Sequence, residues 1–235
     1  MSVCMATYNG ERYLRQQLDS ILTQLGEEDE LIVSDDGSTD GTLDILHTYS
    51  DPRLKVYSNE KGKGVNGNFE TAVSHASGEY LFLSDQDDVW LEGKVKECVK
   101  ALQGADCVVH DCIVTDEGGH PTSESFFKLR GSGPGFWKNL YRNSYLGCCM
   151  AFRRSVLDYA LPYPKKLPVF QEGWIASLAE IKGKVIFIPF KGILFRRHGR
   201  NASFTANKSG LSLGRQISYR ASLLLLVAKR LMKIG

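Results

Sequence analysis

The sequence predicts an α/β protein built on a parallel, doubly wound sheet. Two observations carry that prediction. Short apolar runs alternate four times with helix-periodic segments in the first hundred residues. Three of those runs end in polar loops: Thr7-Tyr8-Asn9, Asp35-Asp36-Gly37-Ser38 and Asp85-Gln86-Asp87-Asp88. In open α/β sheets, ligands bind beyond the carboxyl ends of the strands, so the three loops should meet along one rim.

The elements follow in order. Ser2–Ala6 reads as a strand, and Leu14, Leu18, Ile21, Leu22 and Leu25 recur at helical spacing. Glu30–Ser34 is the second strand, and its Asp/Ser-rich end supplies capping residues for a helix through Leu43 and Leu46. Leu54–Ser58 is the third. A Gly-rich turn, NEKGKGVNGN, then leads to a helix near Asn68–His75. Tyr80–Leu83 is the fourth strand, with a helix over Glu92–Leu102. Beyond it, Asp106–His110 and Cys112–Thr115 read as strand, and Asp116–Gly135 as one long loop. Helices are expected at Phe136–Tyr145, Ser155–Leu161 and Glu172–Ile181, with strands at Cys148–Phe152 and Val185–Ile188. No internal repeat is visible.

Composition narrows the class. The 235 residues suit one domain with or without an appendage, and 43% hydrophobic and 24% charged residues are ordinary for a globular protein. The net charge of +2 singles out no polyanionic partner, and no nucleic acid is expected. Six cysteines lack CxxC pairing, which argues against zinc and for free thiols in a reducing cytosol. A strand starting at Ser2 leaves no visible secretory signal. Residues 211–234 combine Leu223–Val227 with Arg215, Arg220, Lys229, Arg230 and Lys233. That is too short and too charged for a span, which takes about 20 apolar residues. Either the segment covers the sheet domain or a partner subunit, or it lies as a basic amphipathic helix on an anionic membrane. The closeness of cations to leucines favours the membrane.

The stretch YLFLSDQDDVWLEGKV carries the most chemistry. A buried strand runs straight into three carboxylates, which repel one another unless a cation sits among them. Asp85-x-Asp87 at a strand end suits Mg2+ or Mn2+, which take one or two carboxylates and fill their shells with phosphate and water. Asp88 can equally cap the following turn. Asp35 and Asp36 can accept hydrogen bonds from a base or ribose, or simply cap the next helix.

Four stretches together, CMATYNGERYLRQQLDSILTQ, ELIVSDDGSTDGT, NGNFETA and YLFLSDQDDVWLEGKV, resemble the family 2 glycosyltransferases, and within them the bacterial rhamnosyltransferase-like group that builds surface polysaccharides. The resemblance is close over the first hundred residues and looser through Gln171–Asn201. It implies the GT-A fold: a Rossmann-like, mixed, mostly parallel sheet flanked by helices, with a C-terminal amphipathic helical segment. It divides the chain into a catalytic domain, 1–204 (nucleotide-sugar half 1–115, acceptor half 116–204), and a basic helix, 205–235. It implies an inverting, metal-dependent transfer from a nucleotide-diphosphate sugar to a lipid-linked or polysaccharide acceptor, at the cytoplasmic face of the cell membrane. A homodimer is left open.

By the same resemblance, Asp87 would be the main ligand of Mn2+ or Mg2+, and Asp85 would contact ribose or metal. Tyr8 and Asp36 would hold the base, with Asp35 in support, and Thr7 and Asn68 would line that pocket. The family's catalytic base is commonly an Asp in a His-Asp-Trp-Trp segment. Here Phe170-Gln171-Glu172-Gly173-Trp174 stands instead, so Glu172 takes the base position and a Gly replaces one Trp. LFRRHGRNAS matches a Tyr-Arg-x-His-Gly-x-Asn segment. From it, His198 could complete the metal shell, and Arg196 or Arg197 could grip the diphosphate. Trp174 is the acceptor-stacking candidate. Two rivals remain. A nucleotidyltransferase would carry a Gly-rich basic loop where Thr7–Glu11 stands. A catalytically weak nucleotide-sugar binding module would keep the donor pocket and lose the base.

Overall fold

The computed structural model describes residues 1–199, 201 and 213–234; the chain boundary expected at 204/205 and the first two residues of the 211–234 segment lie outside them. Strands β1 (Ser2–Thr7), β2 (Glu30–Asp35), β3 (Leu54–Ser58) and β4 (Tyr80–Ser84) alternate with α1 (Glu11–Leu22), α2 (Thr42–His47) and α3 (Val65–His75). All four strands pair in parallel, in the order β3-β2-β1-β4. β1 and β2 are almost wholly buried, which explains why they read as continuous apolar runs. Helix α1 buries the periodic Leu14, Leu18, Ile21 and Leu22. It also buries Gln17, whose Nε2 donates to Ser84 Oγ and Asp85 O and so ties the helix to the end of β4.

Beyond β4 the sheet becomes mixed. β5 (Val89–Trp90), α4 (Lys94–Leu102), β6 (Cys107–Thr115) and β7 (Pro121–Ser123) are followed by α5 (Phe126–Arg130) and α6 (Phe136–Tyr141). A 3-10 turn at Gly147–Cys149, β8 (Met150–Arg153), α7 (Ser155–Ala160), α8 (Gln171–Lys182), β9 (Val185–Arg196) and α9 (Leu213–Ile234) complete the order. The sheet continues β4-β8-β6-β9-β5, with β8 antiparallel to both neighbours, β6 parallel to β9, and β5 antiparallel to β9. A purely parallel sheet therefore holds only for the first half.

Three expectations are corrected. The stretch 116–135 is not one loop: it folds into β7 and α5. Ser125 caps α5 by accepting from Lys128 N–H, while buried Asp111 accepts from Phe127 N–H. The last strand extends to Arg196 rather than stopping at Ile188. Its register with β6 jumps from His110↔Ile188 to Asp111↔Lys191, a bulge that accommodates Pro189 and lets the ladder resume. The third concerns Trp174, which is 0% exposed and donates Nε1 to Ala160 O. It is core, not an acceptor platform.

Helix α9 lies against α7 and α8 with Leu223 and Val227 buried. Arg230 covers the Trp174 ring at 5.3 Å and donates to Tyr159 O, Leu161 O and Pro162 O. Arg220 holds Leu140 O and Tyr141 O. No described helix is long and apolar enough to cross a membrane. All six cysteines are buried and free, so Cys148-Cys149 is core filling. Trp174→Ala should cost about 3–5 kcal/mol of unfolding free energy in urea titration, as expected for an emptied aromatic core site.

Candidate active site

The loops after β1, β2 and β4 meet as one rim because their polar groups bond to one another. Gln86 makes two hydrogen bonds to the Tyr8 backbone, Tyr8 N–H to Oε1 (2.9 Å) and Nε2 to Tyr8 O (3.0 Å). Gly10 makes room for this clamp: a Cβ there would lie 2.2 Å from Gln86 Oε1. Asn9 donates N–H to Ser38 Oγ and accepts from Thr39 N–H. Asp35 organises its loop from within, its two oxygens accepting from Gly37 N–H, Ser38 N–H, Ser38 Oγ and Thr7 Oγ1. Asp36 accepts from Asn59 Nδ2 (2.6 Å) and Gly64 N–H (2.8 Å).

A cavity of about 340 Å3 opens over this rim. Thr7, Tyr8, Asp36, Asn68, Asp85, Asp87 and Glu172 all line it. Asn68 donates Nδ2 to Thr7 O, while its Oδ1, like Gln171 Oε1, has no partner among the described residues. Buried, unsatisfied acceptors in a polar cavity are ready for a ligand's N–H or O–H. Asp35 does not line the cavity; it supports Thr7 and Ser38.

The carboxylates at the end of β4 are held by cations and donors from distant segments. Lys94 is fully buried behind them, donates Nζ to Cys148 O (2.9 Å) and lies 3.6 Å from the centre of the Trp90 ring. Its charge acts on both Asp85 and Asp88. From the other side comes the segment after β9. Arg196 N–H donates to Asp88 Oδ1, and its guanidinium spends Nε on Asp87 O, Nη1 on Glu117 O and Nη2 on Gln16 Oε1. It also lies 4.6 Å over Tyr13. Arg196 is thus a brace of the acidic loop, not an open diphosphate grip. Arg197 does not line the cavity and places its guanidinium over Phe195.

His198 does reach the site. Its Nε2 is 2.8 Å from Asp87 Oδ2, its ring stacks on Tyr13, and Asn201 Nδ2 also reaches Asp87. Two adjacent ligands about 2.1 Å from an octahedral ion stand about 3 Å apart, so Asp87 and His198 fit a shared divalent cation. Burial, then the charge of Asp87, pushes Asp85 up to about 7. Burial and both neighbouring aspartates also push Asp88 up, and its Oδ2 has no partner among the described residues. Asp85 and Asp87 line the cavity, where a hard cation would favour their ionised forms. Asp85, Asp88 and Cys148 also cluster within 4.8 Å, but a thiol is a poor ligand for such an ion.

Glu172 enters from the first turn of α8, across from this loop. It is 6% exposed and sits against Gly147. Burial pushes its carboxyl up to about 8, its own backbone N–H opposes, and the charge of Asp85 adds to the rise. Gln86, Asn201, Lys94 and Tyr13 carry the site without having been singled out from the sequence. Gln86 was signalled only by its place inside the acidic loop, and Lys94 by nothing local. Lys94→Met should destabilise the fold by about 3–5 kcal/mol in chemical denaturation, because it strands buried carboxylates without their counter-charge.

Comparison with known proteins agrees with this architecture. The sequence profile of Glycosyl transferase family 2 matches residues 2–160. The chain is 36% identical over 225 residues to the Escherichia coli UDP-Glc:alpha-D-GlcNAc-diphosphoundecaprenol beta-1,3-glucosyltransferase WfgD, covering 92% of this chain and 83% of that protein. It is 28% identical over 240 residues to the dTDP-rhamnosyl transferase RfbG of Shigella flexneri, covering 92% and 81%. Among solved structures, S. aureus TarS bound to UDP-GlcNAc superimposes with TM-score 0.70 at 22% identity, over 97% of this chain and 65% of that one. The mannosyltransferase PcManGT of Pyrobaculum calidifontis with GDP-Man and Mn2+ gives 0.63 at 21%, over 85% and 57%. The chain thus spans about three fifths of these solved chains. The profile match over most of the chain, with the 36% identity to WfgD, establishes that it belongs to glycosyltransferase family 2.

Proposed function

We propose that the protein is an inverting glycosyltransferase that moves a sugar from a nucleotide diphosphate to a lipid-linked acceptor in bacterial surface-glycan synthesis. The observation that carries this reading is the placement of Glu172 in one cavity with Tyr8, Asp36, Asn68, Asp85 and Asp87. The names of related proteins, which include sugar transfer onto diphosphoundecaprenol carriers, support the acceptor class.

Tyr8, Asp36 and Asn68 receive the nucleotide, with Asp85 near the ribose. Asp87, Asp85 and His198 are the residues that would hold Mn2+ or Mg2+, which when bound offsets charge on the leaving diphosphate. Glu172 is the general base. It takes the acceptor hydroxyl's proton as that oxygen bonds to the anomeric carbon, and the breaking bond's electrons leave with the diphosphate. The hydrophobic surroundings that raise its carboxyl also keep bulk water from competing for the sugar.

Helix α9 supports a place at the cytoplasmic face of the membrane. Its outward face carries a second apolar stripe, Ile217, Ala221, Leu225, Ala228 and Met232, at spacings of three and four. Ile217, Leu225 and Met232 are 57%, 62% and 76% exposed. Arg215, Lys229 and Lys233 flank the stripe, and no acidic residue follows Glu180 anywhere in the sequence. Exposed Tyr141 lies under the Arg220 guanidinium, and exposed Trp137 stands four residues before it on α6. This pattern is that of a helix lying in an anionic interface.

Two experiments test the reading. In a melting-point screen with UDP, GDP, CMP and dTDP, with and without Mn2+, one nucleotide should stabilise the protein in a metal-dependent way that Asp87→Ala removes. Glu172→Gln should retain that shift while losing about 10²–10⁴ of kcat. Wild-type turnover by the Glu172→Gln chain would refute the base assignment. The pH dependence has a definite sign. Folded Glu172 keeps its proton to about pH 8, whereas an unfolded glutamate loses it near 4.5. Its contribution to stability is therefore complete below 4.5 and is lost as pH rises through about 8. Glu172→Gln should flatten that slope in the free protein, and wild-type kcat/KM should climb towards a plateau above pH 8.

The helix is tested separately. Ile217→Ser/Leu225→Ser/Met232→Ser should weaken binding to vesicles rich in anionic phospholipid by at least about tenfold, with wild-type binding falling as salt is added. A wild-type chain that ignores such vesicles at low salt would remove the membrane placement.

A further inference from the structure

An acceptor must reach Glu172, and a second groove leads there. It holds about 610 Å3 between the Lys61–Gly67 turn on one side and Pro162–Lys165 with Phe170 on the other. Gly64, Val65 and Phe170 line both this groove and the cavity, so the two are continuous. Phe170 stands two residues before Glu172.

We propose that this groove is the acceptor's diphosphate subsite, where Lys61, Lys63 and Lys165 grip the phosphates of a polyprenyl-diphosphate-linked sugar whose sugar end enters the cavity beside Glu172. The inference rests on the glycosyl-transfer reading above and adds to it the residues that recognise the carrier.

Charge is the first support. Three lysines line the groove, and none of their ammonium groups is paired with a carboxylate among the described residues. The backbone is the second. Helix α3 has eleven residues and no side-chain cap, so the first-turn N–H groups of Val65, Asn66 and Gly67 lack intrahelical acceptors, and all three residues line the groove. Such N–H groups favour phosphate oxygens. Gly62 and Gly64 hold φ of 98° and 102°, and a Cβ at either would meet nothing within 4 Å, which leaves the turn open to close approach.

Glu70 is the carboxylate lining the groove; it accepts from Tyr163 N–H, and the charges of Lys61 and Arg230 act on it. The groove's outer wall is braced by Arg230 of α9, through Leu161 O and Pro162 O. A carrier held there has its lipid tail beside the helix whose apolar stripe faces outward.

The test uses the full chain and farnesyl diphosphate as the probe, titrated with UDP or dTDP at saturation, whichever raises the melting point. Lys61→Ala/Lys63→Ala/Lys165→Ala replaces exposed side chains, and an unchanged melting point verifies its fold. The triple variant should bind farnesyl diphosphate at least about tenfold more weakly, with nucleotide affinity unaltered. Equal binding by wild type and variant overturns the proposal. So does displacement of farnesyl diphosphate by the nucleotide, which would put the probe in the donor cavity. Inorganic pyrophosphate binding as tightly as the lipid would identify a free-phosphate site and overturn the carrier assignment. Failure of every nucleotide to bind would count against the donor reading alone, since lysine-dependent binding of farnesyl diphosphate is read independently.

Discussion

The structure depends on how it neutralises three carboxylates at the end of one buried strand. Asp85, Asp87 and Asp88 lie within four residues, and the last two are buried. Left to themselves they would repel one another at low dielectric. Lys94 supplies a buried positive charge from behind. Arg196 and His198 come from more than a hundred residues later and close the front. Each donor serves a different need: Lys94 balances charge, Arg196 fixes the loop's shape through backbone and side chain, and His198 pairs with Asp87 Oδ2. Asp85 and Asp87 remain on the cavity wall, where a divalent cation would offset their mutual repulsion.

Hydrogen bonds between the loops also hold the walls of the cavity. The Gln86 clamp, the Asn9–Ser38 and Asn9–Thr39 bonds and the internal satisfaction of Asp35 hold three loops in register without a ligand. Groups satisfied by the protein build the walls, while Asn68 Oδ1 and Gln171 Oε1, on cavity-lining residues, have no partner among the described residues. Preorganisation of this kind reduces the ordering cost of binding. Glu172 is set apart from the acidic loop by the cavity itself. Burial holds its carboxyl up at about 8, in the range that the proposed role as base requires.

Helix α9 packs on the domain, as one of the two readings of the C-terminal segment expected, and it also carries a second, exposed apolar face. Leu223 and Val227 cover α7 and α8, while Ile217, Leu225 and Met232 remain open. One helix can therefore be part of the folded body and still present a surface to lipid. Its cations divide similarly: Arg220 and Arg230 bind backbone carbonyls of the domain, and Arg215, Lys229 and Lys233 stand beside the outer stripe. Because Arg230 also steadies the 161–162 carbonyls, the outer helix and the groove leading to Glu172 are mechanically one piece.

The sequence by itself determined the local features. Alternating apolar runs and periodic leucines defined the first four strands and their helices, since burial on both faces of a parallel strand leaves a continuous apolar signature. Strand ends marked the rim, and Thr7, Tyr8, Asp36, Asn68, Asp85, Asp87 and Glu172 indeed share one cavity. Tertiary structure decided the rest. The two-residue β5 was too short to show a period, yet its pairing with Ile193 and Leu194 carries His198 to Asp87. Whether Arg196 faced a ligand or braced a loop depended on Gln16 and Glu117, both remote in sequence. Trp174 read as a platform because it follows Glu172 by two residues, but two steps along a helix turn a side chain to the opposite face, here into the core. Periodicity and capping are written in neighbouring residues; charge compensation and the direction of a side chain are settled only by what the folded chain packs against it.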